Sequence, residues 1–260
     1  MPFHRLPENQ KPLVSVILTT RDRPRLLALA LEYYRYQTYP RRELVVVDDG
    51  ELFPVDRAVI EALDGRLIRM QPGTPVGTKL NAGAEQANGV LCQKMDDDDW
   101  YAPTFLETMT TAVADSQTVV CCPTMAILSP FLFFEVANWE IRRSHDRNAP
   151  GATLMFSRDA WEIRQFRPLF QDEDVWFYLD QSRAGSKVLT VRAVECFLAV
   201  RHRGVTGDRG HIWTHQKNGG TLEDSLQRRP LHSRLPEDLL PEFAVKVYRE
   251  LQRELLIAAM

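Results

Sequence analysis

Residues 13–50 read LVSVILTTRDRPRLLALALEYYRYQTYPRRELVVVDDG. The opening run, Leu13 to Thr19, is apolar on both faces and rich in β-branched residues, the pattern of a buried strand. Pro24 then stands near the first position of a helix reaching Tyr36, with Leu26, Leu27, Ala30, Leu31 and Tyr34 along one side. Leu44 to Val47 is a second apolar run, and it ends on Asp48-Asp49-Gly50. Strand, helix and strand in this order predict a βαβ unit, with parallel strands joined by a right-handed crossover.

The pattern continues outward. Val55 to Leu63 reads as a helix, Arg66 to Met70 as a strand, and Val76 to Ala87 as a third helix that Asn88-Gly89 would close as a C-cap. Val90 to Met95 reads as a fourth strand. The expected architecture is an open, mostly parallel α/β sheet flanked by helices. Such sheets bind ligands beyond the carboxyl ends of their strands. Thr19-Thr20-Arg21-Asp22, Asp48-Asp49 and Asp96 to Asp99 all fall at those ends, so three polar clusters are expected on one edge.

The second half is less regular. Thr153 to Ser157 reads as a strand, Val175 to Arg183 as a helix closed by Gly185, and Lys187 to Val200 as one or two strands. Gly204 to Asn218 has the composition of a loop. The most apolar stretch, Thr118 to Trp139, is broken by Pro123, Pro130 and Glu135 and fails as a membrane span. From Leu239 to Met260, Phe243, Val247, Leu251 and Leu255 recur at helical spacing and predict a packing helix. The length of 260 residues suits a single large α/β domain. A net charge of −3 gives no electrostatic case for nucleic acid. Cys92, Cys121, Cys122 and Cys196 form no CxxC, which suits neither a disulfide framework nor a zinc site. Met1 to Arg5 lacks the apolar core of a signal peptide. A cytoplasmic protein is expected, with attachment at the inner face of a membrane as a second option.

The run Met95-Asp96-Asp97-Asp98-Asp99-Trp100-Tyr101-Ala102-Pro103 carries the chemistry. Two unit charges about 4 Å apart cost roughly 4 kcal/mol at an effective dielectric near 20, so four adjacent carboxylates call for a counter-charge. A hard divalent cation such as Mg²⁺ or Mn²⁺, carrying substrate phosphates, would supply it. The competing expectation is a helix start, with Asp99 or Asp98 as N-cap of a helix from about Pro103 to Ala114.

Four motifs in order resemble family 2 glycosyltransferases of the GT-A fold: Ser15 to Pro24, Leu44 to Gly50, Gly77-Thr78-Lys79-Leu80-Asn81-Ala82-Gly83, and Met95 to Pro103 with its DxD pattern. The match covers about the first 115 residues well. The resemblance implies a nucleotide-sugar donor, usually with UDP, and Mn²⁺ or Mg²⁺. It divides one domain into a nucleotide-sugar half (1–115), an acceptor and catalytic half (116–235) and a C-terminal helix (236–260). It sets Thr20 and Asp48 in the nucleoside site and Lys79 near the donor, where the alternative is an exposed helix lysine. Asp98 becomes the first metal ligand, Asp96 reaches ribose or metal, and Asp97 completes the donor side. Glu173-Asp174 resembles the family's acidic pair ahead of a helix, which makes Asp174 the catalytic base, or Asp172 if the register shifts. Arg201-His202-Arg203-Gly204 resembles the region of a third metal ligand, His202, with His211 and His215 as rivals.

The activity so implied is inverting transfer of a sugar to a carbohydrate, lipid-linked or protein acceptor. A sugar-nucleotide nucleotidyltransferase would want a glycine-rich loop after the first strand, and Thr19 to Pro24 has no glycine. A non-catalytic carbohydrate-binding protein is the remaining reading.

Overall fold

A computed structural model describes residues 11–115, 122–144, 150–202 and 230–258. The first half follows the expected alternation: β1 (Val14–Thr20), α1 (Pro24–Arg35), β2 (Arg42–Asp48), α2 (Arg57–Glu61), β3 (Arg66–Arg69), α3 (Val76–Glu85) and β4 (Leu91–Asp96). Then come β5 (Trp100–Tyr101), α4 (Phe105–Asp115), β6 (Thr124–Leu128), β7 (Leu132–Glu135), β8 (Glu140–Arg143), β9 (Met155–Ser157), α5 (Arg158–Ile163), α6 (Glu173–Arg183), β10 (Lys187–Val191) and β11 (Phe197–Arg201). A short helix, Pro236–Leu239, and a longer one, Glu242–Ala258, follow. Among the described residues, no helix is long and apolar enough to cross a membrane.

The strands build two sheets. The larger has the order β10-β6-β9-β4-β1-β2-β3, parallel except for β9. The smaller has the order β5-β11-β7-β8. The register of β1 sets Thr20 beside Asp48 and Thr19 beside Asp96, so the carboxyl ends of three strands are level. β4 passes by a tight turn into β5, which leaves the large sheet and pairs antiparallel with β11. That crossing brings the β4–β5 turn alongside the exit of β11.

Two apolar clusters make the core: one reaches from Val14 to Leu251, and a smaller one gathers Ile17, Leu80, Met125, Phe156, Phe166 and Phe177. α1 buries Leu29 and Tyr33 as well as the expected stripe. The C-terminal helix accounts for this by covering its second flank: Tyr33 meets Tyr248 through their hydroxyls (3.3 Å), and Phe243 packs on Tyr33 and Tyr36. The expected packing helix is therefore observed.

Two local expectations are corrected. Gly89 does not cap α3: the helix ends at Gln86, and Gly73 and Gly185 are the described glycines with positive φ. Gly89 instead lies against β1, its N–H donating to Ser15 Oγ at 2.8 Å, where a Cβ would stand 2.7 Å from Leu13 O. Neither Asp98 nor Asp99 caps α4, which begins at Phe105. The apolar stretch around 118–139 contains β6 and β7, each buried along nearly its whole length. By contrast, Gly185 closes α6 as expected, one residue past the cap, with φ of 86°.

Candidate active site at the carboxyl edge of the sheet

The β4–β5 turn is acidic and buried. Asp97, Asp98 and Asp99 are each no more than 5% exposed, and only Asp96 reaches the surface appreciably. One oxygen from each of Asp96, Asp98 and Asp99 lies within 4.8 Å of the others. Asp97 accepts from Thr20 Oγ1 (2.7 Å) and Arg23 Nη1 (2.9 Å), and the same guanidinium nitrogen reaches Asp98 Oδ2 (3.1 Å). Asp99 accepts the Val200 N–H of β11 (2.8 Å) and pairs with Arg201 (3.5 Å). Lys94, inside β4, pairs with Asp96 (2.9 Å) and with Glu173 at the start of α6 (3.5 Å).

Counter-charge for the four aspartates thus comes in large part from Arg23, Lys94 and Arg201. The expectation that it must come from a cation is corrected to that extent. Compensation is incomplete, however. Burial raises the Asp97 carboxyl above the ordinary aspartate range against the pull of Arg23. Burial, with the neighbouring charge of Asp98, raises Asp99 well above it. Burial also pushes Glu173 up to about 7, with Lys94 acting in the opposite sense. On Lys94 burial acts downward, yet Asp96, Glu173 and Asp174 together hold its ammonium above the usual lysine value.

His202 follows β11 directly. It is buried, its Nε2 stands 3.7 Å from Asp98 Oδ2, and that nitrogen has no hydrogen-bond partner among the described residues. A buried polar atom left unpaired costs on the order of 1–3 kcal/mol, so its position asks for a ligand. His211 and His215 lie outside the described residues.

The turn after β2 is built differently. Asp48 is fully buried and accepts from Gly50 N (2.7 Å), Val55 N (2.8 Å) and Arg69. Asp49 pairs with Lys79 (2.6 Å) and accepts from Gly73 N (3.1 Å). Lys79 is buried rather than an exposed helix lysine, and also donates to Thr20 O (3.3 Å). A chain of contacts therefore runs from Asp49 through Lys79, Thr20, Asp97 and Arg23 to Asp98.

The third-helix motif ties this edge to α6. Gly77 and Gly83 permit close approach, since a Cβ would overlap Arg167 O at Gly77 and Ile17 at Gly83. Asn81 holds the segment before α6 through Phe166 N (2.9 Å), Phe166 O (2.8 Å) and Trp161 Nε1 (3.0 Å). Asp174 sits in the first turn of α6, its Oδ1 accepting from Val175 N (2.7 Å), with its carboxylate seated on Gly151. Tyr101 links the same region to β4, accepting from Asp96 N (2.8 Å) and donating to Ala152 O (3.1 Å). Asp172 is exposed, in left-handed conformation, just ahead of the helix.

The structure thus groups Thr20, Asp96, Asp97, Asp98 and His202 directly, with Asp48 and Lys79 one contact away and Asp174 beside the Lys94 cluster. Sequence reasoning gave no role to Arg23, Lys94, Arg201, Tyr101 or Gly151. Lys94 carried a signal, because a lysine inside a buried strand must be paired.

An open mostly parallel sheet with this edge, beside a small second sheet, is the GT-A arrangement. The family model described as Glycosyl transferase family 2 matches residues 15–173, more than half of the chain, and the chain belongs to that family. Putative glycosyltransferase EpsH of Bacillus subtilis (strain 168) is 28% identical over 116 residues, covering 44% of this chain and 34% of EpsH. Uncharacterized glycosyltransferase YwdF of the same strain is 29% identical over 97 residues, 37% of this chain and 36% of YwdF. The matches thus span about a third of the length of these relatives. Among solved structures, S. aureus TarS 1-349 with UDP-GlcNAc aligns at TM-score 0.56 and 15% identity, over 74% of this chain and 59% of that one. Mannosyltransferase PcManGT from Pyrobaculum calidifontis, with GDP-Man and Mn²⁺, aligns at 0.53 and 16%, over 76% and 61%.

Proposed function

We propose that this protein is an inverting glycosyltransferase that moves a sugar from a nucleotide-sugar, a UDP-sugar, to an acceptor hydroxyl with Mn²⁺ or Mg²⁺. The observation that carries the reading is the grouping of Asp96, Asp98 and Asp99 oxygens, with the buried Nε2 of His202, unpartnered among the described residues, 3.7 Å from Asp98 Oδ2. Carboxylate oxygens and one imidazole nitrogen suit such an ion. The 3.7 Å between His202 Nε2 and Asp98 Oδ2 is within the roughly 4.2 Å that two ligands of one ion can span. Family membership and the nucleotide-sugars held by solved GT-A neighbours support the donor class.

In this reading Asp98, Asp96 and His202 hold the ion. When bound, it neutralises the donor diphosphate and serves as Lewis acid for the departing nucleotide. Thr20 and Asp48 line the nucleoside end, with Lys79, Asp96 and Asp97 along the rest of the donor. Asp48 fixes the loop from Gly50 to Val55 as the wall of that site. Asp174 takes the proton of the acceptor hydroxyl as its oxygen attacks the anomeric carbon from the face opposite the leaving nucleotide. Asp174 is preferred over Asp172 because it shares the Lys94 environment with Asp96 and Glu173, whereas Asp172 is exposed.

Residues 1–115 form the nucleotide-sugar half, 116–235 the acceptor and catalytic half, and 236–260 the C-terminal helix of one domain. The larger sheet, which takes strands from both halves, supports that unity. Acceptors of the carbohydrate, lipid-linked or protein kind fit the chemistry equally. A cytoplasmic setting accords with the free thiols of Cys92 and Cys196. The test is nucleotide release from a panel of sugar donors with and without Mn²⁺. Release that needs the ion and collapses in Asp174→Asn is expected. Sugar binding without turnover would replace the enzyme with a binding protein.

A further inference from the structure

We infer that Arg23 is the chain's own stand-in for the cation: it holds the acidic turn together while the ion is absent, and the ion must displace it from Asp98 to bind. The inference rests on the proposed cation site.

Arg23 Nη1 lies 2.9 Å from Asp97 Oδ1 and 3.1 Å from Asp98 Oδ2. The oxygen it engages on Asp98 is the one that stands 3.7 Å from the unpartnered His202 Nε2. One carboxylate oxygen therefore lies 3.1 Å from a guanidinium nitrogen and 3.7 Å from an imidazole nitrogen that has no hydrogen-bond partner among the described residues. A cation shared by Asp98 and His202 would meet the positive charge of Arg23 across that oxygen, in surroundings where Asp98 and His202 are both nearly inaccessible and charges are weakly screened. The Arg23 side chain is 21% exposed, unlike the carboxylates it joins, so it has a path toward solvent.

Its place in the chain also suits release. Arg23 directly precedes α1, outside both the β1 ladder and the helix, and its side chain makes no cap bond to that helix. When Arg23 leaves Asp98, Thr20 still holds Asp97 through its 2.7 Å hydrogen bond. Arg23 thus holds the turn in the ion-free protein, and Thr20 keeps Asp97 in place once the ion has taken Asp98.

The experiment measures Mn²⁺ affinity by calorimetry, and unfolding with and without Mn²⁺, in the wild type, Arg23→Gln and Arg23→Lys. Arg23→Gln is expected to lower ion-free stability and tighten Mn²⁺ binding by about tenfold, the scale of one charge-assisted hydrogen bond. Its melting point should rise more on Mn²⁺ addition than that of the wild type. Arg23→Lys keeps the charge and should stay near the wild-type affinity, and it also serves if the glutamine variant folds poorly. Equal or weaker Mn²⁺ binding by Arg23→Gln overturns the inference alone, because Arg23 would then be orienting Asp98 for the ion. Absence of Mn²⁺ binding in all three proteins overturns the cation site, and the inference with it.

Discussion

After β2 the chain places Asp48 and Asp49; after β4, on the same edge of the same sheet, it places Asp96 to Asp99. In the first turn each carboxylate oxygen meets a specific donor: two backbone amides and Arg69 for Asp48, Lys79 and the Gly73 amide for Asp49. In the second, four carboxylates share Arg23, Lys94 and Arg201, burial raises Asp97 and Asp99, and a histidine nitrogen stays unpaired. The same residue type is spent on holding a loop in one place and kept short of positive charge in the other. A ligand of positive charge lowers the energy of the second turn and has nothing to add to the first. That contrast, more than the presence of aspartates, supports the proposed cation site at the second turn.

The sharpest break of the comparison is at Asp174, which belongs to the second cluster by environment. In Asp174→Asn, kcat is expected to fall by about 10² to 10⁴, the range of lost general-base help, with donor binding retained. If Asp172→Asn gives the larger loss in steady-state kinetics, the base lies ahead of α6. The neighbouring Glu173 gives a pH signature. Its folded pKa of about 7 lies above the ordinary glutamate value of 4.5. The folded protein therefore binds more protons than the unfolded chain between those values, and stability falls as pH rises through that window. The loss, complete above about pH 7, is on the order of 3 kcal/mol. Denaturant titrations at pH 4.5 and 7.5 should show the decline in the wild type and a smaller one in Glu173→Gln, where the raised Asp97 and Asp99 carboxyls still act in the same direction.

The first half of the fold was legible because its signals are local. β-Branched runs and Pro24 at a helix start each report on their own few residues, as does Gly185 at a helix end in the second half. Gly89 was misread because its requirement is a non-local one, close approach to Leu13 and Ser15. The strands β6 and β7 were hidden because both of their faces are buried, which leaves no alternation to read. In the site, the carboxylates stood out as a run. Their compensation did not, since Arg23 meets Asp97 across 74 residues and Val200 meets Asp99 across 101. The first contact follows from the parallel pairing of β1 with β4 and the second from the antiparallel match of β5 to β11, which no short pattern encodes.

Gly151 sharpens the contrast from the packing side. Its φ is not in the left-handed region, so its need for glycine is space. A methyl group there would overlap the Asp174 carboxylate, and α6 would have to shift. Gly151→Ala should cost about 10² in kcat, as an ångström-scale misplacement of a reacting group does. Mn²⁺ affinity should be unchanged, because the cation ligands lie on β4, its turn and the end of β11. A parallel loss of ion binding, read by calorimetry, would mean that the two clusters are mechanically one.

The smallest effect tests the two turns directly, as Asp48→Asn against Asp98→Asn in ion-free protein. An asparagine at 48 loses the charge facing Arg69 and turns an amide donor toward either Gly50 N or Val55 N, leaving one buried donor opposed. About 2 kcal/mol of unfolding free energy should go, with Mn²⁺ binding intact. An asparagine at 98 removes a like charge from between Asp97 and Asp99 while Arg23 keeps its bond to Asp97. Its ion-free stability should fall by less than that of Asp48→Asn, and the thermal shift on Mn²⁺ addition should vanish. Equal destabilisation by the two changes would mean that Asp98 is as much a structural residue as Asp48, and the second turn would lose its claim to be the reactive one.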